Sequence, residues 1–167
     1  MSRIGLALSG GGFRATLYHL GVLRFLRDAD RLKDISHITS VSGGSVTAAH
    51  LVLNWDRYTG SEQDFDEAAN EVLDFVRMDV RNRVVRRFPF AAATNTARWL
   101  LGRGRSRRLT RQGLLESHYE NFLYGDKCLY ELPPTPQLHM LTTNVNEGSI
   151  CSFTRRGLLV QKRQADG

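Results

Sequence analysis

Ser42 lies in the run Ile38-Thr39-Ser40-Val41-Ser42-Gly43-Gly44-Ser45, where a β-branched, apolar approach ends in a serine followed by two glycines. A nucleophile elbow needs this arrangement: a strand turns sharply into a helix and holds the serine hydroxyl out at a strained corner. Glycine after the serine keeps side chains out of the tight turn. The helix that follows directs its first N–H groups at negative charge developing nearby. The pattern G-x-S-x-G is met at its last four positions and departs at the first, where Ser40 stands for glycine. Small residues gather in many turns, so the run alone reads equally well as an ordinary strand–turn–helix corner.

A second glycine-rich loop upstream changes that balance. Ile4-Gly5-Leu6-Ala7-Leu8 reads as a buried strand and leads into Ser9-Gly10-Gly11-Gly12-Phe13-Arg14-Ala15. A helical pattern follows, with Ala15, Tyr18, Val22 and Leu26 on one face and Phe25 beside them. Three consecutive glycines leave backbone N–H groups free to converge on an anion. Acyl transfer needs such donors, because its tetrahedral intermediate carries an oxyanion. Arg14, just past the glycines, either holds the loop's shape or adds positive potential. A dinucleotide loop competes, since Gly10-x-Gly12-x-x-Ala15 fits G-x-G-x-x-G/A after a strand. That reading expects an acid at the end of the second strand, where this chain has Ser-Val-Ser-Gly-Gly; Asp28 and Asp30 lie earlier. The P-loop fails as well, for no Gly-Lys-Ser/Thr follows the glycines.

With both loops read, the chain resembles the patatin-like phospholipase family. The resemblance covers Ser9 to Ala15, the helix with Tyr18-His19-Leu20-Gly21-Val22-Leu23, and Val41 through Trp55. It resumes at Tyr119 to Leu132 and at Leu141-Thr142-Thr143-Asn144-Val145, similar to the family's later T-N strand. It implies an α/β fold, a mainly parallel sheet flanked by helices, and lipid acyl hydrolysis by a Ser–Asp dyad without metal or cofactor. Carried over by position, Ser42 is the nucleophile and the backbone of Gly10, Gly11 and Gly12 the oxyanion hole. Ser40, Gly43 and Gly44 shape the elbow, and the Ser40 departure touches no chemistry. The family's catalytic Asp lies in a D-G-A/G motif after an Ala/Ser-rich segment. Here the chain reads Gln164-Ala165-Asp166-Gly167, so Asp166 is the candidate proton acceptor. The alternative makes Asp166 a solvated terminal carboxylate, with the motif beyond Gly167 and the fold incomplete at that end. An inactive lipid-binding or scaffold domain is then the competing function.

Composition fits one catalytic domain over 1–167: 41% hydrophobic content is enough for a core. No run of 18 apolar residues suggests a membrane span, and Met-Ser-Arg-Ile-Gly enters a strand without a secretory h-region. Cys128 and Cys151 read as free thiols of a cytoplasmic protein. No HExxH, CxxC or other metal-ligand spacing is present. Charge is uneven. Arg77 to Arg111 holds eleven arginines against the single acid Asp79, about +10, which leaves about −4 for the rest of a chain totalling +6. Within a helical insertion at about 62–125, this stretch reads in three ways. It is a solvated helical cap, a patch for anionic phospholipid headgroups with Phe88, Phe90, Trp99, Leu100 and Leu101 entering the interface, or a nucleic-acid surface. The last ranks lowest, since no nucleic-acid fold accompanies it, and no nucleic-acid partner is expected. A lipid ester is the expected substrate, with peripheral membrane contact through Arg77–Arg111.

None of His19, His37, His50, His118 and His139 sits in a motif that makes it a base. His50 is two helical turns beyond Ser42 and is carried away from the hydroxyl. His19 is the one beside the oxyanion loop. The remaining pattern predicts strands at 4–8, 37–41 and 138–145, helices at 14–28 and 45–55, and a hairpin of 149–154 with 157–162 through Arg155-Arg156-Gly157. Gly125-Asp126 and Pro133-Pro134-Thr135-Pro136 punctuate the approach to the third strand.

Overall fold

The computed structural model describes residues 3–78 and 80–161; Asp79 and Asp166 lie outside the described residues. The chain forms two compact units, one from the residues up to Ala69 together with those from Cys128 onward, the other Asn70–Lys127.

In the first unit, β1 (Ile4–Leu8) leads through the glycine loop into α1 (Gly12–Asp28), and β2 (Ile35–Val41) leads through Ser42 into α2 (Gly43–Leu53). The later strands are β3 (Gln137–Asn144), β4 (Ser149–Thr154) and β5 (Gly157–Val160). The sheet order is β1-β2-β3-β4-β5. β1/β2 and β2/β3 are parallel, and β3/β4 and β4/β5 antiparallel. The sheet is thus mixed, with a parallel core flanked by helices and an antiparallel hairpin added at one side. Leu8↔Ser40 and Val41↔Leu141 are the last pairs of the parallel core, so both glycine-bearing turns leave from the carboxyl ends of adjacent strands. Open α/β sheets place their ligands at such ends.

Leu8, Leu23, Ile35, Ile38, Leu51, Val52, Tyr58, Phe65 and Leu138 form the core. Each such side chain contributes roughly 2 kcal/mol by leaving water. α2 is apolar on nearly every side and is correspondingly buried at Thr47, Ala48, His50, Leu51 and Val52. His50 Nδ1 and the Tyr58 hydroxyl lie 3.0 Å apart inside this core, so His50 is a satisfied core histidine. α3 (Trp55–Tyr58) and α4 (Glu62–Arg77) follow. Ser61 and Asp64 exchange bonds at the start of α4: the Ser61 N–H donates to Asp64 Oδ2 at 3.0 Å, and the Asp64 N–H to Ser61 Oγ at 3.1 Å. The Ser61 hydroxyl and N–H hold the Asp64 carboxyl below its ordinary range.

α1 corrects one expectation. Its inner face is Ala15, Thr16, His19, Leu20 and Leu23, while Tyr18 and Phe25 are each 70% exposed. Counting only apolar residues turned the helix the wrong way, because two inward positions are polar and hydrogen-bonded. Both helices after the glycine turns also begin two residues earlier than the apolar periodicity predicts, since Gly12 and Gly43 themselves form the first turns.

In the second unit the rest of α4 is followed by α5 (Val80–Leu100) and α6 (Arg111–Tyr119), which runs into a single π-turn at Glu120–Tyr124. Val72, Phe75, Val80, Val84 and Ala91 are buried. The Phe75 and Tyr119 rings meet at 5.0 Å. Pro89 lies within α5, where it removes one backbone donor. His118 donates from Nδ1 to the Leu114 carbonyl at 2.8 Å and is accounted for locally.

Candidate active site

Ser42 sits between the last residue of β2 and the first of α2 with φ 51° and ψ −119°. Only Ser42 and Asp30 are non-glycine residues with positive φ among the described residues. For a residue with a Cβ, such a conformation costs about 1–3 kcal/mol and persists only where the surroundings enforce it. The enforcement is visible. The Ser45 N–H donates to the Ser42 carbonyl at 2.9 Å. The buried Ser40 hydroxyl pairs with that of Ser45 at 3.1 Å, so serine at the departing first position of the motif serves the turn. The Ser42 side chain is exposed.

The two glycine turns are fitted against one another. A Cβ on Gly43 would lie 2.2 Å from the Gly12 carbonyl oxygen, and one on Gly44 would lie 2.5 Å from that of Leu8. A Cβ on Gly10 would lie 3.4 Å from Ser42 Cβ. Gly43 and Gly44 are therefore required by the approach of the β1–α1 loop to α2, beyond the turn itself. Gly11 and Gly12 have φ 143° and 62°, values that expose successive N–H groups. None of the N–H groups of Gly10, Gly11 and Gly12 bonds to a described residue. Open donors beside an exposed hydroxyl form an arrangement that can hold an anion as it develops on an atom bonded to Ser42 Oγ.

Thr16 and Thr47, which help fix this geometry, were missed in the sequence, whereas His19 was singled out there as the histidine beside the glycine loop. The Thr16 hydroxyl donates to the Gly43 carbonyl at 3.0 Å and reaches that of Gly12 at 3.3 Å, bridging the two turns. The Thr47 hydroxyl donates to the Thr16 carbonyl at 3.3 Å. His19, buried on α1, donates from Nε2 to the Ser9 carbonyl at 3.0 Å and anchors the start of the glycine loop. Polar residues at positions i, i+3 on a helix leaving a glycine loop were the available signal. Arg14, expected to support the loop, is exposed and makes no hydrogen bond or ion pair with a described residue.

No described side chain hydrogen-bonds the Ser42 hydroxyl, and Asp166 lies outside the described residues. His37 and His139 bond only to Ser36 and Ser152 among the described residues. A cavity of about 240 Å³ lined by Pro133, Leu138, His139 and Arg155 sits toward the start of β3, away from the strand end that pairs with Val41. It takes no part in the Ser42 site. Among the described residues no group of three or more His, Cys, Asp or Glu could hold a metal ion.

The sequence model of patatin-like phospholipases matches residues 6–157, which include both glycine turns. The chain belongs to the patatin-like phospholipase family. Two structures of human GIVD cytosolic phospholipase A2 in complex with methyl γ-linolenyl fluorophosphonate, one also with terbium chloride, resemble this patatin-like chain with TM-scores of 0.61 and 0.62 at 20% identity. The likeness covers 95% of this chain and 24% of that chain, so the patatin-like chain spans about a quarter of those proteins' length. At that identity it speaks to the fold. No curated protein matched the sequence.

Proposed function

We propose that the chain hydrolyses lipid esters, of phospholipid or lysophospholipid type, with Ser42 as nucleophile. Ser42 Oγ attacks the ester carbonyl while an aspartate takes its proton, and the N–H groups of Gly10, Gly11 and Gly12 hold the oxyanion. The proton then passes to the departing alcohol oxygen as the C–O bond breaks, leaving an acyl group on Ser42. Water, deprotonated by the same aspartate, releases the fatty acid and restores the serine. Asp166 is the candidate aspartate within this chain, and Arg14 contributes positive potential beside the loop. No metal or cofactor enters the reaction.

The observation that carries this reading is the conformation of Ser42. A positive-φ serine at the end of a parallel strand, against a glycine loop with open donors, is a costly arrangement without a structural use of its own. The hydroxyl needs an activating base, which an aspartate supplies. A phospholipid ester lies at the lipid–water interface, so the chain works as a peripheral protein at an anionic membrane. Neither Cys128 nor Cys151 is in a disulfide among the described residues, which fits a cytoplasmic setting.

Hydrolysis of a short-chain p-nitrophenyl ester tests the proposal. Wild-type turnover lost in Ser42→Ala, and in Asp166→Asn if Asp166 is the base, supports it. Turnover unchanged in Ser42→Ala overturns it. No Ser42-dependent turnover in the wild type would favour the non-catalytic lipid-binding reading instead.

A further inference from the structure

The second unit concentrates charge without neutralising it. Val80 to Leu115 contains ten arginines and no acidic residue. Among the described residues Arg107 reaches Glu116 at 3.8 Å, whereas Arg103, Arg105, Arg108 and Arg111 meet no carboxylate. Unpaired arginines this close together repel one another, and an anionic partner relieves that repulsion.

Two of them are held in place. The Arg105 guanidinium stacks over the Trp99 ring at 5.5 Å, and that of Arg111 over the Phe88 ring at 4.5 Å. Stacking restricts a long side chain while leaving its N–H edges free for phosphate, which guanidinium suits in shape as well as charge. The loop carrying Arg105 is tied to α5 by the buried Asn95. Its Oδ1 accepts from the Ser106 N–H at 2.6 Å, and its Nδ2 donates to the Ser106 carbonyl at 3.2 Å. Between them Arg105 and Arg111 flank a groove of about 470 Å³ with Phe88, Ala92, Asn95 and Thr110 in its walls. That volume suits a small ligand such as a phosphodiester headgroup.

Several large apolar side chains of the second unit are exposed, those of Leu100 and Leu101 at and just past the end of α5. Leu100 and Leu101 are 72% and 71% exposed, Phe90 79% and Trp99 56%. Phe90, Thr94 and Ala97 lie on the face of α5 turned away from Phe88, Ala92 and Asn95, whereas Leu100 and Leu101 follow Trp99, on which Arg105 stacks, at the end of the helix. A nucleic acid satisfies arginines and can stack on Trp99, but offers nothing to exposed leucines. A bilayer offers a phosphate layer and, within about 5–10 Å of it, hydrocarbon.

We propose that the α5–α6 region is a docking site for anionic phospholipid, in which Arg105 and Arg111 hold a lipid phosphate in the groove and Leu100 and Leu101 enter the acyl boundary. This rests on the reading that the chain works on lipid at an interface, and it assigns the contact to particular residues. Arg103 and Arg108 add attraction to the surface without entering the groove.

The test is co-sedimentation of the full chain carrying Ser42→Ala, which leaves the vesicles intact, with phosphatidylcholine vesicles containing or lacking phosphatidylglycerol. Binding to the anionic vesicles is expected, and Arg105→Gln/Arg111→Gln should weaken it by tenfold or more, given about 1 kcal/mol per interfacial arginine. Arg86→Gln/Arg87→Gln, which removes equal charge outside the groove, should weaken it less. Leu100→Ser/Leu101→Ser should reduce vesicle binding while leaving binding to a single-stranded oligonucleotide unchanged. Equal loss from both arginine pairs, or oligonucleotide binding with no vesicle binding, overturns the proposal. Thermal unfolding of each variant separates misfolding from lost contact. Vesicle binding without Ser42-dependent ester hydrolysis in the wild type would remove the enzymatic reading and leave the docking site standing. Hydrolysis of the soluble ester without vesicle binding would do the reverse.

Discussion

Around Ser42 the working parts are backbone, whereas along α5 and α6 they are side chains. At the serine corner the carbonyls of Ser9, Gly12, Ser42 and Gly43 are each held by a hydrogen bond, and Gly43 and Gly44 are fixed because a Cβ would strike backbone 2.2–2.5 Å away. In the arginine region, by contrast, long flexible groups stand at the surface with aromatic rings as their main restraint. Backbone sites fail abruptly when one atom is added. Side-chain surfaces lose function in increments, charge by charge.

Substitutions at the corner break or sharpen this contrast. The largest effect is expected from Ser42→Ala, which should lower kcat on a soluble ester by at least about 10³-fold. Ser42→Gly should be equally inactive yet more stable by roughly 1 kcal/mol, because glycine adopts φ 51° without strain. An inactive and less stable glycine variant would show that the corner is not strained. Gly43→Ala comes next. Its new methyl must displace the Gly12 carbonyl, costing about 1–3 kcal/mol or more in chemical unfolding and abolishing activity. A neutral outcome would mean that the two turns move independently. His19→Phe keeps the bulk and removes the donor to Ser9. It should cost about 1–2 kcal/mol and lower kcat more than it raises KM.

The smallest effect is electrostatic. Asp64 is held below its ordinary carboxyl range by Ser61. Its contribution to stability is therefore present above that ordinary range and is lost as pH falls through the lowered folded-state value. Ser61→Ala should narrow the gap, so that the stability difference between wild type and variant is present at neutral pH and vanishes in acid. A difference that grows on acidification would reverse the sign and contradict the assignment.

Glycine made the corner legible in the sequence. Gly10-Gly11-Gly12 and Gly43-Gly44 have few uses after short β-branched strands, and the structure finds both turns at adjacent strand ends. The strands expected at 138–145 and 149–154 are found as β3 and β4, the first placed after the Gly125 and Pro133–Pro136 punctuation and the second by the turn Arg155-Arg156-Gly157. The inward face of α1 was not legible. Thr16 and His19 look like surface residues until the carbonyls of Gly43, Gly12 and Ser9 are seen waiting for them. The i, i+3 spacing of the two hints at the adjacent loop, but the Gly43 acceptor comes from a turn far along the chain, and no pattern local to α1 announces it. The arginine stretch was visible as charge alone. That Arg105 and Arg111 share a groove depends on Asn95 tying the loop back to α5, a contact that composition does not contain.

Nucleophilicity at Ser42 is open to direct measurement. The full chain is exposed to an alkyl fluorophosphonate, which phosphonylates an activated serine and releases fluoride, and the adduct is mapped by mass spectrometry. A single adduct on the peptide bearing Ser42, absent from Ser42→Ala, is the predicted result. No adduct, or one on another serine that persists in Ser42→Ala, would contradict the assignment of Ser42 as the nucleophile.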